Sequence, residues 1–187
     1  MCTRKLKFLL LTGWLIASFT LSVRAEEIQD SYIAPEYISY CEQAGEEFGI
    51  QPEFLEAFIE AESSGNPNAS NGKCKGLMQV YESVHRNRMA KMGITNIYDP
   101  KSNIRLGASI IRDLFEQYGD DTAKIVMMYN GSSNAKYRAE SWNFTDYANK
   151  VMNRAYELET IHGKHNYYKY LQKRRADERK RQKMKSY

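Results

Sequence analysis

Leu55, Phe58, Ile59 and Glu62 fall at i, i+3, i+4 and i+7, the spacing of one face of an α-helix. The stripe is apolar until its last member, which is a carboxylic acid. The helix cannot run far beyond it, because Ser63-Ser64 lead into Gly65-Asn66-Pro67-Asn68, and Gly and Pro among Asn residues are turn chemistry. The chain is thus constrained to place an acid at the end of an amphipathic helix, beside a tight polar loop. A carboxyl group held against apolar surface has its charged form disfavoured, so its pKa rises. Such a group can protonate a poor leaving group, for example a glycosidic oxygen. The competing reading is a helix-end Glu that faces solvent.

The remainder reads as helical nearly throughout. Helices are expected near 35–48, 52–63, 79–92, 103–118, 121–130 and 145–160. Pro52 suits the first turn of the second helix, and Gly49 suits the end of the first. Four prolines, no Gly/Ser-rich linker and no internal repeat describe one all-α domain.

The two ends differ from this domain. Residues 1–25 start with Arg4, Lys5 and Lys7, continue through the apolar run Phe8–Ile16 and reach Val23-Arg24-Ala25. That order is expected of a secretory signal peptide released after Ala25. Phe8 to Val23 is 16 residues, short for a membrane-spanning helix, which needs about 20. Export leaves two cysteines, Cys41 and Cys74, in a compartment where thiols can oxidise. A Cys41–Cys74 disulfide tying the loop after Glu62 to the first helix and a pair of free thiols are the two states open to them. The domain, 26–171, carries a net charge near −6, and the tail, 172–187, carries +6. An acidic fold with a basic tail is not the profile of a nucleic-acid-binding domain, whose basic surface belongs on the fold. Anionic wall polymer or a membrane surface is the partner that suits such a tail, against the plainer reading of a solvated end.

The motifs resemble a known family. Glu62-Ser63-Ser64-Gly65-Asn66-Pro67-Asn68-Ala69-Ser70, followed by Gly76-Leu77-Met78-Gln79, is similar to the lytic transglycosylase domain of the soluble-transglycosylase (SLT) type, in the lysozyme-like superfamily. Tyr98-Asp99-Pro100 through Asn103-Ile104 to Gly107, then Tyr129-Asn130-Gly131, then Tyr147 with Val151, resemble the family's later motifs in order. The likeness runs over roughly residues 33–158. There are departures. The stretch between Pro67 and Ser70 is one residue shorter than in many members, and Ser132-Ser133 stand where the family has Gly-Pro after its Tyr-Asn motif.

The resemblance implies a lysozyme-like fold with an active-site cleft, and cleavage of the β-1,4 bond between N-acetylmuramic acid and N-acetylglucosamine in peptidoglycan. Glu62 would act first as acid and then as base while the muramic acid C6 hydroxyl attacks within its own sugar, leaving a 1,6-anhydro end. No second acid occurs between Glu62 and Val80, which suits chemistry with one carboxylate, whereas ordinary glycosidases use two. By the same resemblance, Ser70 would approach the sugar, Gly76 would admit close backbone approach, and Met78 and Gln79 would shape the sugar-binding floor. Tyr129 would turn its hydroxyl towards Glu62 or the sugar, with Asn130 beside it and Tyr147 lining the cleft. Local turn capping by Ser70 and plain core packing by the tyrosines are the alternatives. A hydrolytic muramidase using the same Glu62, and a non-catalytic wall-binding scaffold of a secretion or conjugation apparatus, also stay open.

Other chemistries are not signalled. His85, His162 and His165 have no Cys or acidic cluster at metal-ligand spacing. There is no Cys-x-x-Cys pair and no phosphate-binding Gly-rich loop, so neither metal nor cofactor is expected.

Overall fold

The computed structural model describes residues 29–164. The expected leader, 1–25, the basic tail, 172–187, and His165 lie outside the described residues. Seven helices and one two-stranded hairpin follow in the order α1 (Pro35–Phe48), α2 (Pro52–Ser63), β1 (Cys74–Lys75), β2 (Val80–Tyr81), α3 (Glu82–Lys91), α4 (Pro100–Tyr118), α5 (Thr122–Tyr129), α6 (Ala135–Glu140) and α7 (Asp146–Ile161). The all-α expectation holds, with the hairpin as a small addition. No helix among the described residues is long and apolar enough to cross a membrane.

The helix ends follow local chemistry. Pro52 opens α2, and Gly49 closes α1 in the left-handed conformation. Asp99, Asp121 and Thr145 cap α4, α5 and α7 by accepting from the backbone N–H three residues on, which satisfies donors that a helix start leaves unpaired. The Asp99 cap with Pro100 behind it starts α4 three residues before the sequence expectation. The helix expected from residue 79 starts instead at Glu82, because Val80 and Tyr81 pair with Lys75 and Cys74 in an antiparallel hairpin. The short α6 has no counterpart in the sequence reading.

α2 is the centre of the molecule. It packs between α7 and α1, while α4 joins α1 to α5, and α5 packs on α7 and α6. Leu55, Phe58 and Ile59 are fully buried in one core with Leu77, Ile104, Ile125 and Val151. The opposite face of α2 is buried as well, and it is acidic: Glu53, Glu56 and Glu60 are 0%, 1% and 3% exposed. Helices buried all round are usually apolar all round, so these acids need partners, and α7 with the residue just past its end supplies them for Glu60 and Glu53. Tyr147 meets Glu62, Arg154 meets Glu60 and His162 meets Glu53. As one member of each pair rises in number the other falls, so α2 and α7 run antiparallel.

Candidate active site

Glu62 lies in the last turn of α2, before Ser64 takes a left-handed conformation and ends the helix. Its Oε1 accepts a hydrogen bond from the Tyr147 hydroxyl at the start of α7. Burial pushes the Glu62 carboxyl above its ordinary value, and the Tyr147 bond and the Lys150 charge offset only part of this. The position favours the neutral acid further, since a helix C-terminus carries partial negative charge. Tyr147 remains the donor, because burial and the neighbouring Glu62 push its phenol well up.

Tyr129 has a different task from the one expected. Its hydroxyl donates to the Met78 carbonyl at 2.8 Å, not to Glu62. Its ring stands edge-on to Phe58 at 4.9 Å between centroids, so a buried residue of α2 fixes the tyrosine in place. The negative charge of Glu62 still reaches this phenol and adds to the effect of burial in raising its pKa. Tyr147 is therefore the direct partner of Glu62, and Tyr129 ties the loop after β1 to α5.

That loop is held by its own backbone and by Asn103 of α4. The Asn103 amide accepts from the Met78 N–H at 2.8 Å and donates to the carbonyls of Lys75 and Ile97 at 3.0 and 2.9 Å. Gly76 lies against this amide: a Cβ there would stand 2.2 Å from Asn103 Nδ2, at a backbone φ of 79°. The close approach at Gly76 is thus to Asn103. Gln79 donates to the carbonyls of Ala69 and Gly76 at 3.0 and 2.9 Å, closing the loop on itself. The Met78 side chain is fully buried and packs on Gly107. It cannot form a sugar-binding floor, and only the Met78 backbone serves the site. The exposed Ser70 hydroxyl accepts from the Gly72 N–H at 3.1 Å, the local turn role. Asn130 is exposed and caps the end of α5.

Cys41 and Cys74 are free, which corrects the disulfide reading. Cys41 is buried beside Glu56 and Glu53 at the start of α2, whereas Cys74 lies near Tyr129 at the other end. Glu56 and Glu62 are about 9 Å apart along the helix axis, so α2 itself separates the two thiols.

Lys150 was missed by sequence reasoning, although it stands one turn after Tyr147 on α7, the spacing that places both on one face. Asn103 belongs to the Asp99-Pro100 to Gly107 motif, but its hold on a loop 25 to 28 residues earlier leaves no local signal in the sequence. A separate cavity of about 1030 Å³, between α1, α3 and α4, contains none of these residues. Its arginines Arg88, Arg105 and Arg112 are paired with Asp113, Glu47 and Glu116.

The Transglycosylase SLT domain family matches residues 39–152. The chain is 31% identical over 110 residues to a transglycosylase of Enterobacteria phage PRD1, covering 58% of this chain and 39% of the phage protein. It is 34% identical over 102 residues to the invasion protein IagB of Salmonella typhimurium, covering 50% of this chain and 62% of that protein. The chain thus spans less than two thirds of either relative. Among solved structures, lytic transglycosylase Slt of Pseudomonas aeruginosa, as an inactive mutant, superposes with a TM-score of 0.58 at 18% identity, over 70% of this chain and 25% of that one. A 70-kDa soluble lytic transglycosylase in complex with bulgecin A gives 0.56 at 18% identity, over 68% of this chain and 24% of that one. These structures establish the likeness of fold.

Proposed function

This chain belongs to the transglycosylase SLT domain family, and on that premise we propose that it is a peptidoglycan lytic transglycosylase with Glu62 as its acid and base. The observation that carries the reading is the single carboxyl group at the end of α2, raised by burial and hydrogen-bonded to a neutral phenol. Glu62 protonates the oxygen of the β-1,4 bond between N-acetylmuramic acid and N-acetylglucosamine. The resulting carboxylate then takes the proton of the muramic acid C6 hydroxyl, which attacks the anomeric carbon of its own ring. The nucleophile is already attached to the substrate, so proximity replaces a second protein carboxylate. Ser63 to Tyr81 contain no Asp or Glu, and Glu82, the next acid, is paired with Lys75 at 2.5 Å. Tyr147 orients the Glu62 carboxyl, while Tyr129, Asn103 and Gln79 fix the loop opposite. The chain acts where peptidoglycan lies, outside the cytoplasmic membrane.

The test compares the wild type and Glu62→Gln on purified sacculi, with mass analysis of the products. We expect soluble fragments ending in 1,6-anhydromuramic acid from the wild type. The variant should lose at least about a hundredfold in rate and keep its melting temperature. Reducing ends in place of anhydro ends would make the chain a hydrolytic muramidase. Full activity in the variant would remove Glu62 from the chemistry.

A further inference from the structure

The far end of the α2/α7 pair holds a cluster that the glycosidic chemistry does not use. Glu53 and Glu56 stand one turn apart on α2, and both are buried. His162, just past the end of α7, brings Nδ1 to 2.9 Å from Glu53 Oε1. One donor atom from each of these three residues lies within 4.8 Å of the other two. Each glutamate also keeps its Oε2 buried without a hydrogen-bond partner, where the great majority of buried polar atoms are paired. Two buried carboxyl groups, each with a spare acceptor oxygen, thus converge on one imidazole nitrogen.

The other side of His162 supplies a second, independent sign. Its Nε2 faces Asp30 Oδ1 at 3.0 Å. A carboxylate on the far nitrogen fixes the tautomer of a metal-binding histidine and leaves the near nitrogen as donor. We propose that Glu53, Glu56 and His162 bind a divalent transition cation of the zinc type, with His162 Nδ1 as the nitrogen ligand and Asp30 as its orienting carboxylate. A mixed nitrogen and oxygen set of three suits zinc, which takes four ligands at about 2.0–2.2 Å with water as the fourth. Calcium and magnesium prefer all-oxygen shells of six or more. Lys164, whose Nζ lies 3.0 Å from Glu53 Oε1, is 48% exposed along its side chain and can turn to solvent when the cation arrives. The ion staples the start of α2 to the end of α7. Glu53 and Glu62 are about 13 Å apart along the helix axis, so the ion takes no part in the proposed proton transfer.

The test uses the full chain stripped with a chelator and titrated with zinc by calorimetry, with cobalt(II) as a visible-absorption probe of the same ligands. We expect one equivalent bound, a rise in melting temperature and a cobalt ligand-field spectrum. Glu56→Gln and His162→Gln should weaken zinc at least about tenfold, and Asp30→Asn about tenfold, the scale of an orienting partner. His85→Gln should leave binding unchanged. Far-UV circular dichroism of each metal-free variant separates lost ligands from lost fold, and the exposed Asp30 keeps the series readable if a buried variant fails to fold. Absence of stoichiometric binding would overturn the site. So would zinc binding that survives both Glu56→Gln and His162→Gln in folded protein.

Discussion

Glu62 and Glu60 sit two residues apart on α2 and so on different sides of it; each finds a partner on α7, and the two partners differ in chemistry. Glu60 receives the Arg154 guanidinium in a two-point contact, Nε to Oε2 at 2.6 Å and Nη2 to Oε1 at 3.1 Å, together with the Ser31 hydroxyl at 3.2 Å. Glu62 receives a phenol, with Lys150 acting only through its charge. Glu53, further along, shows the first arrangement again: burial pushes its carboxyl up, but His162 and Lys164 outweigh that and hold it below the ordinary value. Burial alone therefore does not make an acid catalyst. A buried carboxylate that meets charged partners, as Glu53 does, is held below its ordinary pKa and joins helices. One that meets only a neutral donor keeps its proton to higher pH, and α2 carries both kinds within three turns.

The comparison is most severely tested by removing the cation that Glu60 meets. Arg154→Met leaves Glu60 buried without its counter-charge and frees the carbonyls of Gln29 and Asp30, which Arg154 also holds. The expected loss is about 3–5 kcal/mol, the scale for breaking one side of a buried ion pair, measured by urea denaturation at neutral pH. Glu62→Gln should change stability by less than about 1 kcal/mol, because an amide can still accept from Tyr147. Equal small losses in the two variants would mean that the Arg154–Glu60 contact does not hold α2 to α7.

Local signals in the sequence account for much of the fold. Leu55, Phe58, Ile59 and Glu62 mark their face of α2 by spacing alone, and Gly49 and Pro52 mark helix ends by backbone chemistry. Non-local pairing escapes such reading. Glu53, Glu56 and Glu60 look like a solvated face, since their burial depends on Arg154 and His162, 94 and 109 residues away from Glu60 and Glu53. Metal-ligand spacing in the sequence could not show a cluster closed by His162 for the same reason. The two tyrosines were legible as cleft candidates, but not their division of labour. Which of them reaches Glu62 is decided by how α7 packs 85 residues later, and Tyr129 is turned away by the Met78 carbonyl. The hairpin of Cys74–Lys75 with Val80–Tyr81 is too short for alternation to show, and α6 spans only Ala135–Glu140.

If the Glu62 end is held by backbone fit where the Glu60 end is held by charge, a methyl group should suffice to damage it. In Gly76→Ala the new Cβ would meet the Asn103 amide, in a region of φ that favours glycine. A loss of about 1–3 kcal/mol is expected, as for overpacking in a tight site, with activity falling through the displaced Met78 carbonyl and Tyr129. Denaturation and rate on sacculi measure the two effects. An unchanged protein would show that Asn103 can withdraw without cost, and that the loop depends on Gln79 instead.

The smallest expected effect concerns the phenol itself. Tyr147→Phe removes the donor to Glu62 and leaves the ring, so stability should move by about 1 kcal/mol or less. The rate should fall roughly tenfold, equivalent to about 1.4 kcal/mol of lost orientation. The pH profile carries the sharper reading. Burial raises the Glu62 pKa, whereas the Tyr147 hydrogen bond favours the carboxylate and lowers it. Deleting that bond should raise the Glu62 pKa further. The proton then stays on Glu62 to higher pH, and the alkaline limb of the rate profile moves upward even as the maximum rate drops. Lys150→Met should move the limb the same way, because the Lys150 charge also lowers the Glu62 pKa. An exposed charge acts more weakly than a buried hydrogen bond, so its displacement should be smaller and should shrink as salt screens it. A limb that moves downward in Tyr147→Phe would mean that the hydroxyl stabilises the protonated acid, and the contrast between a neutral and a cationic partner would no longer explain why Glu62 is the acid of this helix.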